Sequence, residues 1–119
     1  MHKLVILILQ TGDPGFEDLW PQFLNAAESI PGLRREATSR VGQVLFGDLR
    51  PEMIHELFFD SYVDLESGLN SEEGVLAGQL LHSITNSRVL LFLADHTEDY
   101  LDRIRSFRGG GADGRQPKA

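Results

Sequence analysis

Cysteine is absent from this chain of 119 residues. Its absence excludes disulfides, thiolate nucleophiles, iron–sulfur clusters and zinc sites that use cysteine ligands. Basic residues are also few, because 11 Lys and Arg stand against 18 Asp and Glu, which gives a net charge of −7. An acidic body of this kind repels phosphate backbones, so we expect no nucleic-acid partner.

Long hydrophobic runs are missing as well. The apolar run from Leu4 to Leu9 falls far short of the roughly 20 residues that span a bilayer. It leads into the turn-forming residues 10–14 rather than into a cleavage site made of small residues, which argues against a signal peptide. We therefore expect a cytoplasmic protein with no membrane partner.

The composition is that of one folded domain. Hydrophobic residues make up 41% of the chain and charged residues 24%, which is enough apolar material to form a core at this length. Residues 1–107 are predicted to form the domain. Residues 108–119, which begin with a run of glycines, are predicted to be a flexible C-terminal tail.

The hydrophobic pattern predicts two similar halves, each of the order β-α-β. The predicted strands cover residues 3–9, 33–46, 55–63 and 88–95, and the two long helices cover 16–30 and 71–83. A short helix over 64–69 and an extra short C-terminal helix within 97–107 complete the pattern. Pro21 costs about 3 kcal/mol inside a helix, so the first helix is predicted either to kink there or to begin there.

This order is typical of the ferredoxin-like α+β fold, β-α-β-β-α-β, with a four-stranded antiparallel sheet and both long helices on one face. The first and fourth strands are apolar on both faces. Leaving their aliphatic side chains in water would cost about 1.5 to 3 kcal/mol each. We therefore expect a homodimer through the sheet face, which closes a barrel.

Three short segments carry a resemblance to a known family: Pro31-Gly-Leu-Arg-Arg35, Glu56-Leu-Phe-Phe-Asp-Ser61 and Ser71-Glu-Glu-Gly74. In this order, and with the apolar fourth strand, they resemble the EthD family of the dimeric α+β barrel superfamily over residues 3–96. The resemblance implies a pocket for a flat organic molecule between sheet and helices. Relatives include monooxygenases without metal or flavin, cyclases and isomerases, so no cofactor is expected.

Two features depart from the family pattern. The aromatic residue that commonly closes the second helix is missing from the segment Leu80-Leu-His-Ser-Ile84. EthD-like sequences usually carry a histidine in the first helix, eight residues before the Pro-Gly pair, and this chain has Phe23 there. No catalytic histidine is therefore carried over from the family.

Four side chains are the candidates for acid–base catalysis. His55 and His82 titrate near neutral pH, while Glu56 and Asp60 lie on the opposite face of the third strand from His55. Each candidate has a structural alternative. His55 fits a hydrogen-bonded core position, His82 fits an exposed flank, and an arginine of the second strand can neutralise the two carboxylates.

The candidate ligand pocket consists of Trp20, Phe23 and Phe59, since large apolar side chains line most small-molecule sites; the alternative is that they only fill the core. No metal is expected, because none of the four histidines shows the HExxH spacing. Three functions remain open: an enzyme that acts on a small apolar or aromatic molecule without a cofactor, a ligand-binding barrel, and a dimeric interaction module.

Overall fold

The computed structural model describes residues 1–10 and 14–102. Within them four strands and three helices follow one another along the chain. They are β1 (His2–Leu9), α1 (Phe16–Glu28), β2 (Leu33–Arg40), β3 (Pro51–Phe59), α2 (Tyr62–Leu69), α3 (Glu72–Thr85) and β4 (Val89–Asp95).

The four strands form one antiparallel sheet in the order β2-β3-β1-β4. In the central register Ile6 of β1 lies between His55 of β3 and Leu91 of β4. The two central strands come from the two different halves of the chain, as the ferredoxin-like prediction requires. The predicted fold class is confirmed.

The core lies between one face of the sheet and the helices. Alternate residues of β1 and β3 point into it because successive side chains of a strand face opposite ways. The buried cluster contains Ile6, Ile8, Phe16, Trp20, Phe23, Ala27, Ile30, Met53, Leu57, Phe59, Leu65, Ala77, Leu81 and Ile84. We call the opposite side of the sheet the open face; it carries Lys3, Val5, Leu7, Arg35, Ala37, Ser39, Ile54, Glu56, Phe58, Leu90, Phe92 and Ala94.

Helix α1 begins at Phe16 and includes Pro21, so a start at Pro21 was wrong. Its apolar side is buried, and its first turn carries Glu17 and Asp18, where negative charge interacts favourably with the helix dipole. Glu17 also receives two hydrogen bonds from Arg40, at 2.8 and 3.2 Å, which join α1 to the end of β2.

Strands β2 and β3 have other limits than the sequence predicted. The second strand ends at Arg40 instead of Phe46, because the pairing with β3 ends at Arg40 and Met53. The third strand spans Pro51–Phe59 instead of 55–63. It stops there because the Ser61 side chain accepts a hydrogen bond from the backbone of Asp64 and starts α2 at Tyr62, two residues before the predicted start.

Helix α3 begins as predicted, with the Ser71 side chain accepting a hydrogen bond from the backbone N–H of Gly74. On this helix Val75 and Leu76 are about half exposed. Gly74 and Ala77 take the inner positions instead.

Strand β4 lies at an edge of the sheet. Its side chains from Leu90 to Leu93 are 40 to 48% exposed. Leu90 and Phe92 lie on the open face, the face through which a homodimer is expected.

The predicted tail, residues 108–119, lies outside the described residues, as does most of the expected C-terminal helix. Across residues 1–10 and 14–102, no helix combines the length and the apolar character needed to cross a membrane.

Candidate functional site

His55 is the one buried titratable side chain among the described residues, with 1% of its surface exposed. It points from β3 into the helix-covered side of the sheet. Its Nδ1 lies 2.8 Å from Oγ1 of Thr38, and its Nε2 lies 3.0 Å from Oε1 of Glu36. Both partners belong to β2, which pairs with β3 at this point. Both ring nitrogens of His55 are therefore occupied by the neighbouring strand.

Burial lowers the pKa of His55 to about 4, an effect that the charge of Glu56 opposes. The ring is consequently neutral at neutral pH, and its contact with Glu36 is a hydrogen bond rather than an ion pair. With Glu36 ionised, the network assigns the proton to Nε2, which donates to Glu36, while the Thr38 hydroxyl donates to Nδ1. His55 serves as a cross-strand hydrogen-bonding group in this arrangement.

The pKa of Glu36 is also shifted from its usual value. Burial raises its pKa, and so do the nearby charge of Glu28 and a hydrogen bond with that side chain. Glu28 lies at the end of α1. The three groups Glu28, Glu36 and His55 thus connect the end of α1 to the buried part of β3.

Trp20 and Phe23 of α1 pack against the ring of His55. The Trp20 ring stands perpendicular to the imidazole at 5.3 Å between centroids, and the Phe23 ring stands at 80° at 6.0 Å. The two aromatic rings also stack on each other at 4.9 Å. Position 23, where the family that the sequence resembles usually has a histidine, is here a buried aromatic that packs against His55.

A cavity of about 270 Å³ lies next to this aromatic group, between α3 and the helix-covered side of the sheet. We call it the α3 cavity. It is lined by Leu4, Ile6, Phe23, Ile30, Leu57, Leu69, Gly74, Val75, Ala77, Gly78, Leu81 and Leu91. Among the described residues, no lining side chain carries a polar atom, so this part of the cavity can hold a hydrocarbon but offers no side-chain hydrogen bond.

Of the three predicted pocket residues, Phe23 lines the α3 cavity. Trp20 reaches it only through its stacking on Phe23. Phe59 is fully buried and lies 3.7 Å from the position of a Cβ built on Gly32, beside the turn between α1 and β2. The cavity lies against α3 and β1, so it includes only one of the three side chains that the sequence indicated for the pocket.

The carboxylates Glu56 and Asp60 are separated from the cavity. Glu56 lies on the open face and forms an ion pair with Lys3, in which both side chains are largely buried. Asp60 is exposed and lies 3.4 Å from Arg34. Basic neighbours thus neutralise both acids, as the structural alternative expected, although Lys3 takes the role foreseen for an arginine.

His82 lies on the exposed side of α3, and its Nδ1 is 3.3 Å from the hydroxyl of Ser87. The structure does not bring it together with His55 or with the cavity. Near the C-terminal end of a helix, an imidazole ring is well placed to interact with the last carbonyl groups.

The open face is partly covered by the segment that follows β4. The ring of His96 stands at 4.9 Å from that of Phe58, and Glu98 accepts hydrogen bonds from His96 at 2.7 Å and from Arg35 at 3.3 Å. The hydrogen bond from His96 lowers the pKa of Glu98. Arg35 lies 4.0 Å above the Phe58 ring, so one end of the open face is polar and already packed.

Within residues 1–10 and 14–102, no group of three or more His, Asp or Glu side chains is arranged to hold a metal ion.

Solved structures give the comparison that decides the fold. An EthD family protein from Bacillus halodurans superposes with a TM-score of 0.73 at 21% identity, over 82% of this chain and 99% of that one. The fold is ferredoxin-like. A dimeric ferredoxin-like protein of unknown function from Jannaschia gives a TM-score of 0.63 at 14% identity, over 81% of this chain and 100% of that one.

A third structure of similar fold is that of an enzyme. SnoaB, a cofactor-independent oxygenase from Streptomyces nogalater, superposes with a TM-score of 0.58 at 9% identity, over 84% of this chain and 94% of that one. No family model and no curated protein matches the chain. At these identities the likeness establishes the fold alone.

Sequence reasoning missed two sets of residues. Glu36 and Thr38 stand two apart on β2, a spacing that places them on one face, but only the strand register reveals that this face meets His55. Gly74 and Gly78 stand four apart on α3. Two glycines at that spacing weaken a helix, and this cost was a usable signal that α3 has a special surface there.

Proposed function

We propose that this protein is an EthD-like, homodimeric α+β barrel protein that binds a small apolar organic molecule in the α3 cavity. The observation that carries the proposal is the purely hydrocarbon lining of a cavity of about 270 Å³. That volume lies just below the range of about 300 to 1,000 Å³ that is typical of ligand pockets, which suits a molecule of one or two rings or a short chain.

Binding is favoured over acid–base catalysis by the position of the titratable groups. A general base must come within hydrogen-bond reach of the proton that it takes. His55 directs both nitrogens at β2, and Glu56 lies on the other face of the sheet. Catalysis by His55, His82, Glu56 or Asp60 is the alternative, and it requires one of these groups to reach the bound molecule.

The cavity can be tested with a matched pair of substitutions at one position. A Cβ built on Gly78 meets no atom within 4 Å, so Gly78→Ala leaves most of the space free, whereas Gly78→Leu fills it. We expect the wild type and Gly78→Ala to bind 1-octanol in isothermal titration calorimetry, and Gly78→Leu to bind it at least about tenfold more weakly.

Trp20 supplies a second measurement, since it is the only tryptophan and stacks on the cavity residue Phe23. Its emission should change when 1-octanol binds to the wild type and stay constant in Gly78→Leu. Equal binding by Gly78→Leu, or no binding by the wild type, would contradict the proposal.

The homodimer is proposed through the open face. Leu90 and Phe92 are 48 and 45% exposed there, and burying such side chains yields about 1.5 to 3 kcal/mol each. The Jannaschia neighbour is described as dimeric. Light scattering should give twice the chain mass of 13.3 kDa.

An acidic substitution tests which surface pairs. Phe92→Asp should yield a monomer, because it places a charge in the proposed interface. Val63→Asp is the matched control, since Val63 is 69% exposed on α2, away from the open face. A dimer that survives Phe92→Asp, or is lost in Val63→Asp, would show that another surface pairs the chains.

A further inference from the structure

The α3 cavity has a closed inner end and an exposed mouth. Phe23, Ile30 and Leu57 form part of its buried end, whereas Val75 of α3 and Leu91 of β4 are 49 and 40% exposed. Because none of the described lining side chains carries a polar atom, a polar group carried inside would lose its hydrogen bonds to water without replacement from them. A polar group on the ligand therefore has to stay at the mouth.

The volume limits how much hydrocarbon fits. An apolar cavity of about 150 Å³ is known to hold benzene, which has six carbon atoms. By proportion, the 270 Å³ of the α3 cavity hold about ten carbon atoms.

The mouth carries negative charge. Glu72 and Glu73 occupy the first turn of α3, directly before the lining residues Gly74 and Val75. Glu72 stands three residues before Val75, so the two side chains are neighbours on the helix surface. The helix N-terminus contributes about half a positive charge, which two full carboxylates outweigh. Neither α3 nor β4 contains Lys or Arg.

We propose that the ligand of the α3 cavity is an uncharged hydrocarbon-like molecule of about ten carbon atoms, whose polar end, where it has one, lies at the mouth between Val75 and Leu91. Carboxylates of the same length bind more weakly, because Glu72 and Glu73 place negative charge at the mouth. This inference rests on the proposed binding function and adds the length and the charge class of the ligand.

A series of straight-chain probes tests the length. Affinities of 1-octanol, 1-decanol and 1-dodecanol are measured by isothermal titration calorimetry on the full chain at neutral pH. Each buried methylene strengthens binding about fourfold, so 1-decanol should bind about 15-fold more tightly than 1-octanol. 1-Dodecanol should stay within about threefold of 1-decanol, because its last carbons lie outside the cavity.

Decanoate tests the charge. We expect it to bind at least about tenfold more weakly than 1-decanol. The double variant Glu72→Gln/Glu73→Gln should bind decanoate several-fold more tightly than the wild type does. Its affinity for 1-decanol should be unchanged. Asp48→Asn is the control, because it removes one negative charge in the β2–β3 loop, at the opposite end of the sheet. It should leave the ratio of the affinities for 1-decanol and decanoate unchanged.

The outcomes separate this inference from the function on which it rests. If no alcohol binds, the binding function itself is wrong. If the alcohols bind but decanoate binds equally well, or if affinity does not rise from 1-octanol to 1-decanol, the binding function stands and the proposed ligand class is overturned. If the double variant binds decanoate as weakly as the wild type does, Glu72 and Glu73 are not the reason for the weak binding of decanoate.

Discussion

Gly74 and Gly78 of α3 should respond in opposite ways to the same substitution. Both lie inside one helix, four residues apart, so alanine brings each the same gain in helix propensity, about 1 kcal/mol. What differs is the space that the new methyl group would occupy.

At Gly78 a built Cβ meets no atom within 4 Å. At Gly74 it would come within 2.2 Å of the carbonyl oxygen of Gly68 and 2.6 Å of that of Leu69. These are backbone atoms of α2, which cannot swing aside as the end of a side chain can. Gly74→Ala therefore has to push α2 and α3 apart, and overpacking of this kind costs about 1 to 3 kcal/mol.

Gly78→Ala should raise the free energy of unfolding by about 1 kcal/mol, while Gly74→Ala should lower it by up to about 2 kcal/mol after its own propensity gain is subtracted. Urea unfolding at a fixed protein concentration measures both, since the stability of a dimer depends on concentration. If Gly74→Ala is as stable as Gly78→Ala, the close approach of α2 and α3 is not a constraint on the fold.

Two further predictions concern Ser87, which follows α3, and His55. Ser87 has a φ of 60°, which costs a residue with a side chain about 1 to 2 kcal/mol, so Ser87→Gly should raise the melting temperature; a lower value would mean that the contact with His82 outweighs the strain. The depressed pKa of His55, about 4 in the folded chain against about 6.5 unfolded, gives stability that is full above pH 6.5 and lost as the pH falls towards 4. Between pH 7 and 4 the wild type should lose about 3 kcal/mol more than His55→Gln, and equal losses in urea titrations would refute the assignment.

The raised pKa of Glu36 acts in the opposite direction, because the folded chain takes up that proton more readily than the unfolded chain as the pH falls. The variant His55→Gln keeps Glu36, so the effect of Glu36 on stability is present in both proteins. The difference between their losses of unfolding free energy therefore reports mainly on His55.

How much of the fold could be predicted is clearest at β3. Alternation correctly placed His55 and Leu57 on one face and Glu56 on the other, because the period of two is a local property of the backbone. The ends were missed by four residues, since Met53 and Ile54 continue the strand without a sharp alternation. Ser61 was not recognised as the cap that ends it.

The candidate site was harder to predict because its parts meet only through tertiary packing. Thr38 lies 17 residues before His55 and Glu36 lies 19 residues before it, and only the register of β2 with β3 brings them together. The position and size of the cavity depend on where α3 lies over β1. The hydrophobic periodicity of the sequence does not determine that placement. Sequence reasoning found Phe23, which takes part in both features, by its size and helical spacing.

The division of β3 into two faces also limits what chemistry the protein can perform. His55 and Glu56 are adjacent in sequence but point to opposite sides of the sheet, so they cannot act together on one molecule. On the helix-covered side His55 is turned towards β2, and the described lining of the α3 cavity holds no acid, base or nucleophile. Binding, in contrast, needs only the hydrocarbon surface that β1, β3 and α3 provide.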